Sequence, residues 1–157
     1  MRIGFLTDAN VARLDWAQKN GFGSIEWMRF DTSFAAPQQE LWRPFAERFA
    51  AEAKTRNLRI SAIGALYRNP LDPGQTEFAR AVFLRAIDAA RHLGIKTVSG
   101  FPGAVIELEP HPKGNNPVYK PFENFLPRLL GFWEPLAKYA ADKGVRIAFE
   151  HCPQGPY

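Results

Sequence analysis

Residues 136–155, LAKYAADKGVRIAFEHCPQG, hold one complete passage from helix to strand. Leu136 and Ala140 close a run of apolar residues at three- and four-residue spacing that starts at Phe122, the signature of one buried helix face. Lys143-Gly144 interrupts the pattern, and glycine tolerates the left-handed backbone that ends many helices. Val145 to Phe149 then form a strand-length run. Alternation along a strand sends Ile147 and Phe149 to one side, Ala148 and Glu150 to the other. Two large apolar side chains suit the layer between a sheet and its helices. A small residue and an acid do not suit a second buried layer, because an unpaired buried carboxylate is costly. In an open doubly wound sheet both faces are covered by helices. In a closed barrel the second face lines the interior, whose upper end is a site. The parity favours the barrel.

The same unit recurs upstream. RIGFL (2–6), SIEWM (24–28), LRISAI (58–63) and IKTVS (95–99) are further strand-length runs, and the last three follow Gly or Asn. SIEW repeats the parity, with Ile25 and Trp27 on one side and Ser24 and Glu26 on the other. Helical faces are read from Trp42, Phe45, Phe49 and Ala53, and from Phe78, Val82, Ala86, Ala89, Ala90 and Leu93. Val11 to Lys19 reads as a shorter, weaker helix. Asp72-Pro73 suits N-cap and first-turn chemistry for the helix after it. Pro127 and Pro135 predict a kink or a late start in the last helix. The order β-α-β-α-β-α-β-α-β implies parallel strands joined by right-handed crossovers. Residues 101–120 read as one long loop leaving the C-terminal end of the fourth strand, the end where parallel α/β proteins bind ligands.

Composition sets outer limits. The chain has 157 residues, 46% hydrophobic and 23% charged, which is globular and corresponds to one domain or a piece of one. Twenty Lys and Arg against 16 Asp and Glu give a net charge of +4 without a basic block, which does not suggest nucleic acid as a partner. One Cys excludes an intramolecular disulfide framework and a cysteine zinc cage. No apolar run approaches the ~20 residues of a membrane span. MRIGFLTDAN is too short and polar for a signal peptide. The expectation is a cytoplasmic, reduced setting. Phosphate-loop, dinucleotide and nucleophile-elbow motifs are missing from the sequence.

Glu150 is the foremost candidate site residue. A carboxylate at a strand's C-terminal tip binds a divalent metal or moves a proton; the alternative is a surface acid at a strand exit. Glu26 is a second candidate, for substrate binding; its structural alternative is a pair with Arg or Lys. His111, between Pro110 and Pro112, is a candidate substrate contact, against a solvated loop histidine. His151 should leave the strand opposite to Glu150. His92 near a helix C-terminus suits the macrodipole. Cys152 reads as a small buried hydrophobe.

The quoted stretch resembles the fifth-strand region of sugar phosphate isomerases and epimerases of the xylose-isomerase-like TIM-barrel superfamily. There a helix leads through Gly into a strand ending in Glu, often followed by Asn-Cys-Pro. NGFGSIEW (20–27), RNPLDPG (68–74) and AARHLGIKTVSGFPG (89–103) resemble the same family, in order along the chain. The resemblance implies an α/β fold, an (α/β)8 barrel of roughly 250 residues or more. The 157 residues would be one partial TIM-barrel domain, an incomplete barrel with strands 1 to 5 and four helices. It further implies one divalent metal, with Glu150 as first ligand and as one of two acid–base glutamates. The other ligands, an Asp, a His and a second Glu, would lie beyond Tyr157. One carboxylate does not distinguish Mn, Mg, Co and Zn. The implied substrate is a sugar or sugar phosphate, with a homo-oligomer left open, and the chain by itself would be inactive.

Two positions depart from the family pattern: His151 stands where Asn is usual, and Pro156 where the ketose 3-epimerase branch carries another Glu. The endonuclease IV branch places His ligands at the ends of strands three and four. Those ends read Ile63-Gly64-Ala65 and Ser99-Gly100-Phe101 here, against DNA repair chemistry. A non-enzymatic alternative also fits the length: a complete five-stranded flavodoxin-like binding or signalling module.

Overall fold

Each predicted strand forms, and each of the last four follows a helix. In a computed structural model that describes residues 3–28, 42–65, 69–111, 114–119 and 122–150, the chain runs β1 (Gly4–Thr7), α1 (Val11–Lys19), β2 (Ser24–Trp27), α2 (Trp42–Thr55) and β3 (Arg59–Gly64). It continues through α3 (Thr76–Leu93), β4 (Thr97–Gly100), β5 (Ile106–His111), β6 (Gly114–Tyr119), α4 (Phe122–Asp142) and β7 (Arg146–Phe149). Helix ends follow the expected chemistry. Asn10 caps α1 by accepting from Ala12 N at 2.9 Å. Asn57, Gly94 and Gly144, just after α2, α3 and α4, take positive φ of 57°, 71° and 68°.

The five parallel strands lie in the order β1-β2-β3-β4-β7. In the flavodoxin-like order the first strand sits inside the sheet, flanked by the second and third. Here β1 is an edge and every βαβ step moves to the adjacent position, which is the winding of a barrel wall. The flavodoxin-like alternative is therefore overturned. The fold is α/β, an incomplete TIM barrel.

The core lies on one face of the sheet. Ile25, Trp27, Ile63 and Val98 are each fully buried there. Trp27 packs on Phe45 and Phe49 of α2 at centroid distances of 6.0 and 4.9 Å. Keeping Ile60 and Ile63 both toward the core requires a break in alternation. It comes as a bulge: Ile25 pairs with Ile60 but Glu26 pairs with Ala62, leaving Ser61 as the extra residue. Ser61 Oγ donates to Ile25 O at 2.9 Å and closes the bulge.

Three local expectations are corrected. Residues 101–120 are not one loop, because β5 and β6 pair as an antiparallel hairpin from Ile106↔Tyr119 to His111↔Gly114. Pro110 and Pro117 are compatible with it because each strand of a two-stranded ribbon keeps a free edge. Asp72 does not cap α3. Its carboxylate accepts from Gly74 N at 2.9 Å and Gln75 Nε2 at 2.6 Å, shaping the turn before the helix. Finally, the last helix does not start late: α4 begins at Phe122, with Pro127 and Pro135 inside it. The lost hydrogen bonds are offset by burial of Phe125, Phe132, Trp133 and Leu136 on its inner side.

Candidate functional site

The face of the sheet opposite the helices is lined differently. The register aligns Leu6 with Glu26, Glu26 with Ala62, Gly64 with Ser99, and Ser99 with Ala148. Apart from Leu6 on the edge strand, small residues and one acid replace the large apolar side chains of the other face. Glu26 Oε1 accepts a hydrogen bond from Ser99 Oγ. The structural alternative for Glu26 is a pair with Arg or Lys, and its partner is instead an alcohol two strands away.

Glu150 follows directly on β7 and is exposed. Its backbone N–H donates to Gly100 O at 2.9 Å, which extends the β4–β7 pairing by one residue. The alternation that puts Ala148 on the inner face carries Glu150 to that side at the strand exit. The residue before it is anchored from outside. Phe149 meets the ring of Trp133 edge-on at 4.7 Å, and Trp133 Nε1 donates to Pro102 O at 2.7 Å.

The neighbouring connections are bound to each other. Asn69 Nδ2 donates to Ala104 O at 2.7 Å, while Asn69 Oδ1 accepts from Ala104 N at 3.0 Å and Leu71 N at 3.1 Å. One amide side chain thus joins the segment after β3 to the segment after β4. Arg128 of α4 donates to Leu71 O. Gly103, at φ +96°, sits where a Cβ would come within 2.8 Å of Pro70. A cavity of about 500 Å³ opens at the end of β1, between Leu6, Asp8, Arg13, Trp16 and Met28.

Sequence reasoning puts Glu26 and Glu150 on one face; the register places Glu26 there, level with Ala62, and the β4–β7 register ends at Phe149, one residue before Glu150. His111 lies at the turn end of the hairpin, and its side chain is outside the described residues, as are His151, Cys152 and Pro156. His92 belongs to the outer surface, with Nε2 2.7 Å from Glu47 Oε1. Ser99 and Asn69 were not singled out; Ser99 could have been found as the polar inner-parity residue of IKTVSG. Among the described residues, no three His, Cys, Asp or Glu side chains cluster as a metal site, and no helix is long and apolar enough to cross a membrane.

Over residues 14–157 the sequence matches the family described as xylose isomerase-like TIM barrel. No curated protein matches it. Among solved structures, a xylose isomerase domain protein from Planctomyces limnophilus superimposes with a TM-score of 0.68 at 16% identity, over 96% of this chain and 54% of that one. D-psicose 3-epimerase from Clostridium cellulolyticum H10, solved with D-tagatose, gives 0.64 at 14% identity, over 94% and 51%. A xylose isomerase-like TIM barrel protein from Mycobacterium smegmatis, in complex with magnesium, gives 0.62 at 17% identity, over 88% and 45%. The chain spans about half the length of these structures.

Proposed function

The chain belongs to the xylose isomerase-like TIM barrel family, and from that premise we propose that it forms part of a metal-dependent isomerase or epimerase of a sugar or sugar phosphate. The observation that carries the reading is Glu150, an exposed residue directly after β7 whose backbone extends the pairing to β4, and whose parity with Ala148 assigns it to the side away from the helices. Its oxygens suit a hard divalent cation. With no cluster of three candidate ligands among the described residues, Glu150 is one donor and not a complete shell. The magnesium in one structural neighbour and the D-tagatose in another support the cofactor class and the substrate class. A bound divalent ion would polarise the oxygens of the sugar.

Glu150 takes the proton from the carbon beside the carbonyl; delivered to the adjacent carbon, that proton isomerises the sugar, while epimerisation requires a second acid to protonate the same carbon from the opposite face. Glu26 binds a substrate hydroxyl deeper in the interior. His111, on the hairpin that leaves the same end of the sheet, is a further substrate contact. The 157 residues alone are inactive on this reading, because one ligand does not make a metal centre.

Incubating the full-length gene product with a ketohexose and Mn²⁺ or Mg²⁺ in D₂O tests this. Deuterium should enter the carbon beside the carbonyl, only with metal, and Glu150→Gln should slow entry by about 10²–10⁴-fold. Exchange that persists in Glu150→Gln overturns the assignment.

A further inference from the structure

Glu26 on β2 and Ser99 on β4 are not neighbours in the sheet, since β3 lies between them. Their side chains meet because β3 is nearly bare where it must be crossed. Ala62 stands opposite Glu26 and Gly64 opposite Ser99. The bulge at Ser61 is part of this arrangement. Were β3 regular from Ile60 onward, Ser61 would stand opposite Glu26, and Ala62 and Ile63 would exchange faces.

The contact fixes what the pair can recognise. Ser99, only 8% exposed, spends its one proton on Glu26 Oε1. What remains is the second carboxylate oxygen, free lone pairs on the first, and the lone pairs of Ser99 Oγ, all acceptors. No ion pair to Glu26 joins the described residues. A cluster of acceptors beside Ala62 and Gly64, with Leu6 on the β1 side of Glu26, selects a ligand rich in O–H donors. It disfavours anionic groups. Ser99 is level with Ala148, and Glu150 lies two residues further along β7. At about 3.3 Å per residue the pair sits about 7 Å below Glu150 along the strand, a span comparable with a short extended polyol.

We propose that Glu26 and Ser99 form a hydroxyl-accepting pair that binds the distal hydroxyls of a polyol, with Ser99 the positioning residue that holds the Glu26 carboxylate. This rests on reading the inner face as a sugar site, but it needs neither the metal nor the proton transfer.

Xylitol separates the two, because it has hydroxyls and no carbonyl. Its binding to the full-length gene product is followed by calorimetry or ligand-observed NMR with chelator present. Wild type should bind it without any metal. Ser99→Ala and Glu26→Ala should each weaken it about tenfold, and Ser99→Thr, which keeps the hydroxyl, should restore it. If Ser99→Ala does not fold, Glu26→Ala against Ser99→Thr makes the same comparison. No binding by wild type, or equal binding by Ser99→Ala or Glu26→Ala, overturns the pair. Ser99→Thr no better than Ser99→Ala overturns the positioning role. Deuterium exchange that ignores Glu150→Gln, alongside xylitol binding that depends on Ser99, refutes the catalytic assignment and leaves the pair standing.

Discussion

The two faces of the sheet obey opposite rules. Toward the helices, Ile25, Trp27, Ile63 and Val98 are large and fully buried. Toward the interior, Ala62, Gly64, Ser99 and Ala148 are small, Glu26 shares their side with Leu6 of the edge strand, and parity assigns Glu150 to it. Adjacent residues on one strand therefore serve different ends. One face holds the structure together by apolar burial, while the other gives up burial to keep space and polar groups available. The difference predicts that mutations one residue apart will separate stability from chemistry.

The largest expected effect is Trp27→Ala. Its neighbour Glu26 faces inward, but Trp27 is enclosed by Phe45 and Phe49, and its removal should cost about 3–5 kcal/mol. Thermal or urea melts would show it, and a small loss would break the division of labour. Gly100→Ala comes next. The new Cβ would lie 2.4 Å from Phe83 Cζ on the helix-facing side, an overpacking worth about 1–3 kcal/mol in the same melts.

A smaller effect concerns the helix layer alone. Tyr139 Oη donates to Asp88 Oδ1 at 2.8 Å, and burial, then the Asp88 carboxylate, raises its pKa above the usual 10.0. The folded state thus favours the protonated phenol. Its contribution is complete below about pH 10 and is lost as the pH rises toward the folded value. Melts above pH 10 should show this decline, and Tyr139→Phe should flatten it. The smallest effect belongs to the other face: Glu150→Gln, at an exposed strand exit, should stay within about 0.5 kcal/mol of wild type while removing deuterium exchange.

How much of this is legible in the sequence follows from the same contrast. Ile25 and Trp27, or Ile147 and Phe149, announce their face because a strict period of two sorts large from small. The bulge escapes because LRISAI reads as one unbroken run, and only pairing with β2 reveals Ser61 as the extra residue. The hairpin was hidden by its prolines, which argue against a central strand but not against a ribbon. The helix through Pro127 and Pro135 is decided by burial on one side, a tertiary effect that outweighs the local penalty. Glu26 and Glu150 were found from parity. Ser99 was not, because its role depends on what β3 lacks, and a contact across an intervening strand has no fixed spacing in the chain.

The outer rims of the sheet carry a further consequence. Among the described residues, the exposed large apolar side chains are Ile3, Leu6, Val11 and Trp16 around β1, and Leu130 and Phe149 around β7. These are the two ends of the strand order, and each end strand has one row of backbone groups without a strand partner. The two rims are different surfaces that face opposite ways along a sheet of uniform polarity. Self-association of the 157-residue chain that joins one rim to the other would be head-to-tail, with no two-fold axis at the contact. Such an assembly either closes into a ring or keeps growing, so crowding would produce a size distribution and not a single symmetric dimer.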